Sequence, residues 1–275
     1  MTKMFEKYES YLNAEEKSKS TIEKYIHDIK RFIDYTGGRE LTKQLVVDYK
    51  ENLAQKYSVS TVNGAVAALN GFFEFIGRPE LRVKPLKKQK NIFCREEKEL
   101  SKAEYNRLLC AAEREGNRRL KLIIETICST GIRVSELKYI TAEAVKNGQA
   151  DVDCKGKRRI IFMPKSLRRV LSEYIRQRGI KSGSVFVTKS GRAVSRGNIW
   201  RDMKKLCDDA GVERSKVFPH NLRHLFAREF YRIEKDIAKL ADLLGHTNVE
   251  TTRIYIMETG EEHRRILERM GLVCQ

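Results

Sequence analysis

Apolar residues recur every three to four positions through most of this 275-residue chain. That period admits a helical fold and leaves little room for anything else. In TIEKYIHDIKRFIDYTG, residues Ile22, Tyr25, Ile26, Ile29, Phe32 and Ile33 fall on one helix face, with Ser18 or Ser20 as cap and Gly37-Gly38 as stop. LTKQLVVDYKENLAQKY follows, with Thr42 as its cap and Leu45, Val46, Tyr49 and Leu53 on one side. SVSTVNGAVAALNGFFEFIG lines up Val62, Val66, Leu69, Phe72, Phe73 and Ile76. With a first helix over 4–12, these segments predict a four-helix bundle over 1–77, the aromatic stripe forming its core. Residues 78–98 hold Pro79, Pro85 and the run LRVKPLKKQKN. They lack the helical period and read as a basic linker.

A second domain is predicted over 99–275. Ser101 with Glu104 three residues later is a capping box opening SKAEYNRLLCAAERE. RRLKLIIETICST is a second helix, closed by Gly131. AVKNGQADVDCKGKRRIIFMP changes character: it alternates, with turn residues in its middle, and predicts short antiparallel strands with a tip at Lys155–Lys157. Helical patterns return in SLRRVLSEYIRQRG, SRGNIWRDMKKLCDDAG, HNLRHLFAREFYR, KDIAKLADLLG, VETTRIYI and EEHRRILERM. The expected class is therefore mainly α with a small antiparallel β-sheet.

Charge narrows the range of partners. Lys and Arg number 55 against 37 Asp and Glu, a net of +18, which points to a polyanion, nucleic acid being the commonest. The excess peaks between Lys155 and Arg178, where nine basic residues meet one acid, Glu173. No run of about 18 apolar residues exists to span a bilayer, and MTKMFEKYESYLNAEEK lacks the apolar core of a secretion signal. Six cysteines (Cys94, Cys110, Cys128, Cys154, Cys207, Cys274) include no CxxC pair. They read as reduced thiols of a cytoplasmic protein rather than as a disulfide frame or a zinc site.

Four islands carry chemistry: TGIRVSEL (130–137), CKGKRR (154–159), HNLRH (220–224) and LLGHTNVETTRIY (243–255). There is no DxD, HExxH, P-loop, GxSxG or Rossmann glycine set, so hydrolytic triads and two-metal nuclease chemistry lack parts. Two arginines, histidines, a lysine and a tyrosine suit phosphoryl transfer without a metal. Arginine grips phosphate oxygens in a planar fork, and such cations offset the charge of the transition state. A phenol, with a pKa of about 10 when unperturbed, serves as nucleophile. The departing 5′ oxygen needs a general acid, which a lysine on a hairpin tip supplies. A phosphotyrosyl ester conserves the bond energy, so rejoining needs no ATP. Each piece has a plainer reading: a helix-start arginine, a solvated hairpin tip, a capping histidine at His246, a core tyrosine at Tyr255. The weight lies in their order and spacing.

Gly131-Ile132-Arg133-Val134-Ser135-Glu136-Leu137, then His220-Asn221-Leu222-Arg223-His224, then Leu243-Leu244-Gly245-His246 with Tyr255 nine residues on, resemble the signatures of the tyrosine recombinase family, the phage integrases and Xer-type enzymes. The resemblance covers 100–275 strongly. Over the N-terminal helices it is weak, carried by Thr21, Tyr25 and Phe32. It implies a helical, SAM-like DNA-binding domain followed by an α+β catalytic domain. It implies Tyr255 as nucleophile, Arg133 and Arg223 as a phosphate clamp, His220 in acid–base transfer, and His246 as a hydrogen bond to the phosphate. Lys155 matches the hairpin general acid, with Lys157 close enough to compete. Glu136 and His224 take accessory places. Lys84, Lys87, Lys88, Lys90, Arg158 and Arg159 remain as candidate DNA-backbone contacts.

The implied partner is double-stranded DNA, engaged by a homo-tetramer that is a monomer or weak dimer when free. The tail EEHRRILERMGLVCQ would dock on a neighbouring protomer. No cofactor, metal or membrane is implied, and the location is cytoplasmic, at the nucleoid. Mobile-element integration or excision and Xer-type resolution both fit. A relaxing enzyme of the type IB topoisomerase kind and an inactive DNA-binding protein of the same fold are the competing readings.

Overall fold

The computed structural model describes residues 2–87, 99–154, 157–188, 190–255 and 268–270. By its internal contacts the chain falls into two units, Met1–Asn91 and Ile92–Gln275. In the first, α1 (Thr2–Ala14), α2 (Lys19–Thr36), α3 (Lys43–Lys56) and α4 (Val59–Phe75) form the bundle. Ser18, Thr42 and Ser58 each accept the backbone N–H three residues on, which settles the cap of α2 on Ser18. Tyr8, Ile29, Phe32, Val46, Tyr49, Val66, Leu69 and Phe73 meet in its core.

The segment after α4 differs from the expected linker. A 3-10 turn at Pro79–Leu81 leads into an extended strap whose Leu81 and Val83 are buried against the bundle. Two α4 asparagines on one face, Asn63 and Asn70, hold it. Asn70 donates to the Val83 carbonyl (2.9 Å) and accepts from its N–H (3.0 Å). Asn63 does the same for Leu86 (2.9 and 2.7 Å). Each amide side chain replaces a β-strand partner and satisfies an otherwise orphaned backbone pair. Basic residues and prolines concealed an alternation of Leu81 and Val83 with exposed Arg82 and Lys84.

In the second unit the capping box at Ser101 and Glu104 opens α5 (Lys102–Arg114). Next comes α6 (Arg118–Thr130), whose Leu120, Leu122, Ile123, Ile124 and Ile127 are buried. This central helix packs on α5, α8 (Lys165–Arg178), α9 (Arg196–Ala210) and α10 (Pro219–Glu234). A 3-10 helix spans Val134–Tyr139. The expected strand region begins with a helix instead, α7 (Ala142–Asn147). Thr141 caps it, Glu143 sits in its first turn, and Gly148 ends it in the left-handed conformation. Those local end signals outweigh the alternation of AVKN.

The hairpin then forms as expected, β1 (Gln149–Cys154) antiparallel to β2 (Lys157–Phe162). Ala150, Val152 and Ile161 face the core, while Ile160 and Phe162 are exposed. Two short helices follow α10 in the second unit, α11 (Ile237–Leu244) and α12 (Val249–Arg253). The predicted helix VETTRIYI thus stops short of Tyr255, and of the expected helix EEHRRILERM residues 261–267 lie outside the described residues. Among the described residues no helix is long and apolar enough to cross a membrane.

Candidate active site

Arg223 is the largest fully buried side chain in the described protein, 1% exposed. A buried guanidinium is costly unless its donors are matched, and this one is matched by helix ends. Nη1 donates to the carbonyl of Gly131, the left-handed C-cap of α6, and Nη2 donates to that of Leu244, the last residue of α11, at 2.7 Å. The final carbonyls of a helix have no partner within it and carry the negative end of its dipole. One cation thus closes two helices. Nη2 also donates to His246 Nε2 at 3.0 Å. The Nε of Arg223 is buried with no partner among the described residues.

That contact sets the tautomer of His246. A guanidinium only donates, so Nε2 accepts, and the proton sits on Nδ1, which donates to the buried Thr252 hydroxyl at 2.9 Å. The Thr252 backbone carbonyl accepts the Tyr255 backbone N–H at 2.9 Å. Tyr255 is buried beside Ala227, Leu240 and Leu244. Its ring centroid lies 4.2 Å from that of His224, 5.4 Å from His246 and 5.5 Å from His220. Its hydroxyl is near enough to Arg223 to act on it. Burial and the Arg133 charge lower the Arg223 pKa, the Tyr255 hydroxyl offsets part of that, and at a net value of about 10 the group stays cationic at neutral pH.

All three imidazoles are held neutral. Burial and Arg223 lower His246 to about 4, with Arg133 and Arg159 adding to the effect. Burial and His220 lower His224 to about 3. Partial desolvation of its ring, then Arg223, Arg133 and Arg196, depress His220, although the residue as a whole stays open to solvent on α10. Desolvation and nearby positive charge both disfavour imidazolium.

On the other flank, Glu136 is 1% exposed. Its carboxylate accepts the Arg133 backbone N–H (2.7 Å) and Arg133 Nη1 (3.1 Å). It also accepts Nη1 (3.0 Å) and Nη2 (2.7 Å) of Arg159. Burial alone would raise this carboxyl, but the Arg133 N–H and the Arg159 charge outweigh it and hold the group below its usual range. The Arg133 side chain is left 40% exposed.

The structure therefore brings together Arg133, Glu136, His220, Arg223, His224, His246 and Tyr255. It also adds two residues that the sequence reading had not put there. Thr252 had no signal beyond its place six residues after His246. Arg159, expected among the DNA-backbone contacts, turns inward and is only 13% exposed. Its signal was strand alternation, since it shares a face with Ile161 and pairs with Val152. Arg158, by contrast, points outward and faces Asp153 at 3.6 Å. Lys84 and Lys87 are exposed on the first unit. Lys157 opens β2, and Lys88, Lys90 and Lys155 lie outside the described residues. Among the described residues no group of three or more His, Cys, Asp or Glu side chains is placed to share a metal ion.

Residues 98–262 match the phage integrase family, and residues 4–81 match the phage integrase N-terminal SAM-like domain. The chain belongs to the phage integrase family of tyrosine recombinases. It is 31% identical to tyrosine recombinase XerA of Thermococcus kodakarensis, across 98% of this chain and 96% of that protein. The crystal structure of XerA recombinase covers 99% of both chains at 26% identity, with a TM-score of 0.55. A lambda integrase tetramer bound to a Holliday junction superposes with a TM-score of 0.73 at 18% identity, covering 92% of this chain and 76% of that one, a likeness of fold. Tyrosine recombinases are enzymes that exchange DNA strands, and the clustered tyrosine, histidines and arginines occupy the matched region.

Proposed function

We propose that this chain is a site-specific DNA recombinase that cuts and rejoins duplex DNA through Tyr255. One observation carries the assignment of the nucleophile: within a single chain, the Tyr255 ring is enclosed by three neutral imidazoles and lies against a buried arginine. The net charge of +18 supplies the attraction for the polyanion.

In the proposed step the Tyr255 phenolic oxygen bonds to a backbone phosphorus and the bond to the 5′ oxygen breaks, leaving a 3′-phosphotyrosyl link. His220, held neutral, is able to take the phenolic proton. The 5′ oxygen receives its proton from the hairpin lysine, Lys155 or Lys157. The exposed fork of Arg133 and the unpartnered Nε of Arg223 are the donors left for the non-bridging oxygens. His246 has no N–H to spare in this arrangement, so its part is to hold Arg223 and the Tyr255 turn; donation to phosphate would require it to give up the Arg223 contact. Attack by the 5′ hydroxyl of another strand reverses the step, with no outside energy. On this reading four copies assemble on two duplexes and exchange strands through a Holliday junction, with the C-terminal tail linking neighbours.

The test is a covalent trap. The full chain is incubated with a pool of duplexes carrying randomised sequence and a nick beside each possible cut position, and attached DNA is recovered from denaturing gels and sequenced. The wild type is expected to yield one enriched site linked through a 3′ phosphate, insensitive to EDTA. Tyr255→Phe is expected to bind that duplex without forming the adduct. An adduct formed by Tyr255→Phe refutes the assignment.

A further inference from the structure

Arg133 and Arg159 share one buried carboxylate, and they share it unequally. Arg159 gives Glu136 both tines of its fork, at 3.0 and 2.7 Å, from a position 13% exposed. Arg133 gives its backbone N–H and a single guanidinium contact at 3.1 Å, leaving the rest of its fork toward solvent. A buried carboxylate seeks full compensation. With Arg159 in place, most of that demand is met from the hairpin side. Without it, Arg133 is the nearest cation left, and its fork would be drawn onto Glu136.

Two further contacts fix Arg159 where it stands. The Tyr139 hydroxyl donates to the Asp153 carbonyl, tying β1 to the same 3-10 helix that carries Glu136. The Arg159 stem passes over Gly245, where an added Cβ would stand 2.7 Å from Cδ and 2.8 Å from Nη1. Arg159 thereby also demands the small residue that begins the His246 turn.

We infer that Arg159 is a positioning residue of this recombinase: it neutralises Glu136 so that Arg133 stays free to grip the scissile phosphate. The inference deepens the proposed function and rests on it. It predicts a defect confined to the charged non-bridging oxygen, acting through Arg133.

The experiment uses the duplex recovered by the covalent trap, made with either a phosphate or a neutral methylphosphonate at the cut position, and measures single-turnover adduct formation by the full chain. Arg159→Ala is expected to slow phosphate cleavage by about 10²-fold, as loss of one transition-state donor does. On the methylphosphonate it is expected to stay within about threefold of wild type, in parallel with Arg133→Ala. In a Glu136→Gln background, adding Arg159→Ala is expected to cost less than about threefold, because no buried charge remains to capture Arg133. That comparison holds even where Arg159→Ala alone fails to fold. Equal slowing on both substrates, or the same cost of Arg159→Ala in both backgrounds, overturns the inference. Absence of any wild-type adduct refutes the underlying function instead.

Discussion

Gly131→Ala tests the physical heart of the site. Gly131 has a φ of +65°, and an added Cβ would lie 2.4 and 2.5 Å from two ring carbons of Phe226 and 3.1 Å from Leu244. The left-handed conformation costs a residue with a side chain about 1–2 kcal/mol. Overpacking against a rigid ring adds about 1–3 kcal/mol. The sum is about 2–5 kcal/mol, which for a unit of this size lowers Tm by about 4–20 °C. Gly211 makes the control. It caps α9 with a φ of +58° and has nothing within 4 Å of its would-be Cβ, so Gly211→Ala carries the conformational part alone, about 1–2 kcal/mol. The difference between the two variants isolates the clash. Because Phe226 sits one turn from Arg223 on α10, and Gly131 itself offers its carbonyl to Arg223, relief of the clash displaces the arginine. A shift on the order of 1 Å slows cleavage by about 10²-fold. Differential scanning calorimetry and adduct formation on the trapped duplex measure both effects. If Gly131→Ala proves no less stable and no slower than Gly211→Ala, the packing argument fails.

Three other outcomes follow from the structure. His246, with its native pKa of about 4, binds fewer protons folded than unfolded between about pH 6.5 and 4, so stability is full above that window, falls as pH drops through it, and levels off below. The loss from this half-buried group is at most about 3 kcal/mol, reduced by solvent screening, read from urea midpoints against pH; His246→Gln is expected to flatten that slope, and an unchanged slope counts against the neutral imidazole. Asn70→Ala strands the Val83 N–H and carbonyl and is expected to cost about 1–3 kcal/mol, with faster amide exchange at Val83; unaltered exchange there would show that the strap is held otherwise. Affinity for the recovered duplex is expected to fall linearly in log–log coordinates as salt rises, and an affinity indifferent to salt removes the electrostatic argument.

What could be read from the residues was local. Ser18, Thr42 and Ser101 cap their helices because a cap depends on neighbours three positions away. The spacing of Leu45, Val46, Tyr49 and Leu53 exposed their helix face for the same reason. Misreadings arose where two local signals competed. Alternation in AVKN lost to Thr141 and Gly148 at the ends of α7. In the strap after α4, Pro79 and the lysines obscured Leu81 and Val83, whose burial depends on Asn63 and Asn70 reaching back from α4. Arg159 looked like any other cation in a basic run. Only the register that sets it beside Ile161 reveals that it points inward, and only the fold puts Glu136 there to receive it.

The three signature boxes, separate in the chain, act as one object in space. GIRVSEL and LLGH each place a left-handed glycine at the end of a helix, α6 and α11. Each glycine stops its helix where the last carbonyls would go unpaired, and the packing of α10 brings both ends to Arg223 of the HNLRH box. The arginine is then more than a phosphate ligand. It satisfies backbone groups that no side chain on α6 or α11 satisfies, and through His246 it fixes the turn that ends in Tyr255. Lysine in its place keeps a charge but cannot reach two diverging carbonyls and an imidazole at once. Loss of Arg223 should therefore disorder the tyrosine as well as the phosphate site, whereas Arg133, bound to neither helix end, is expected to lose chemistry while the fold stays intact.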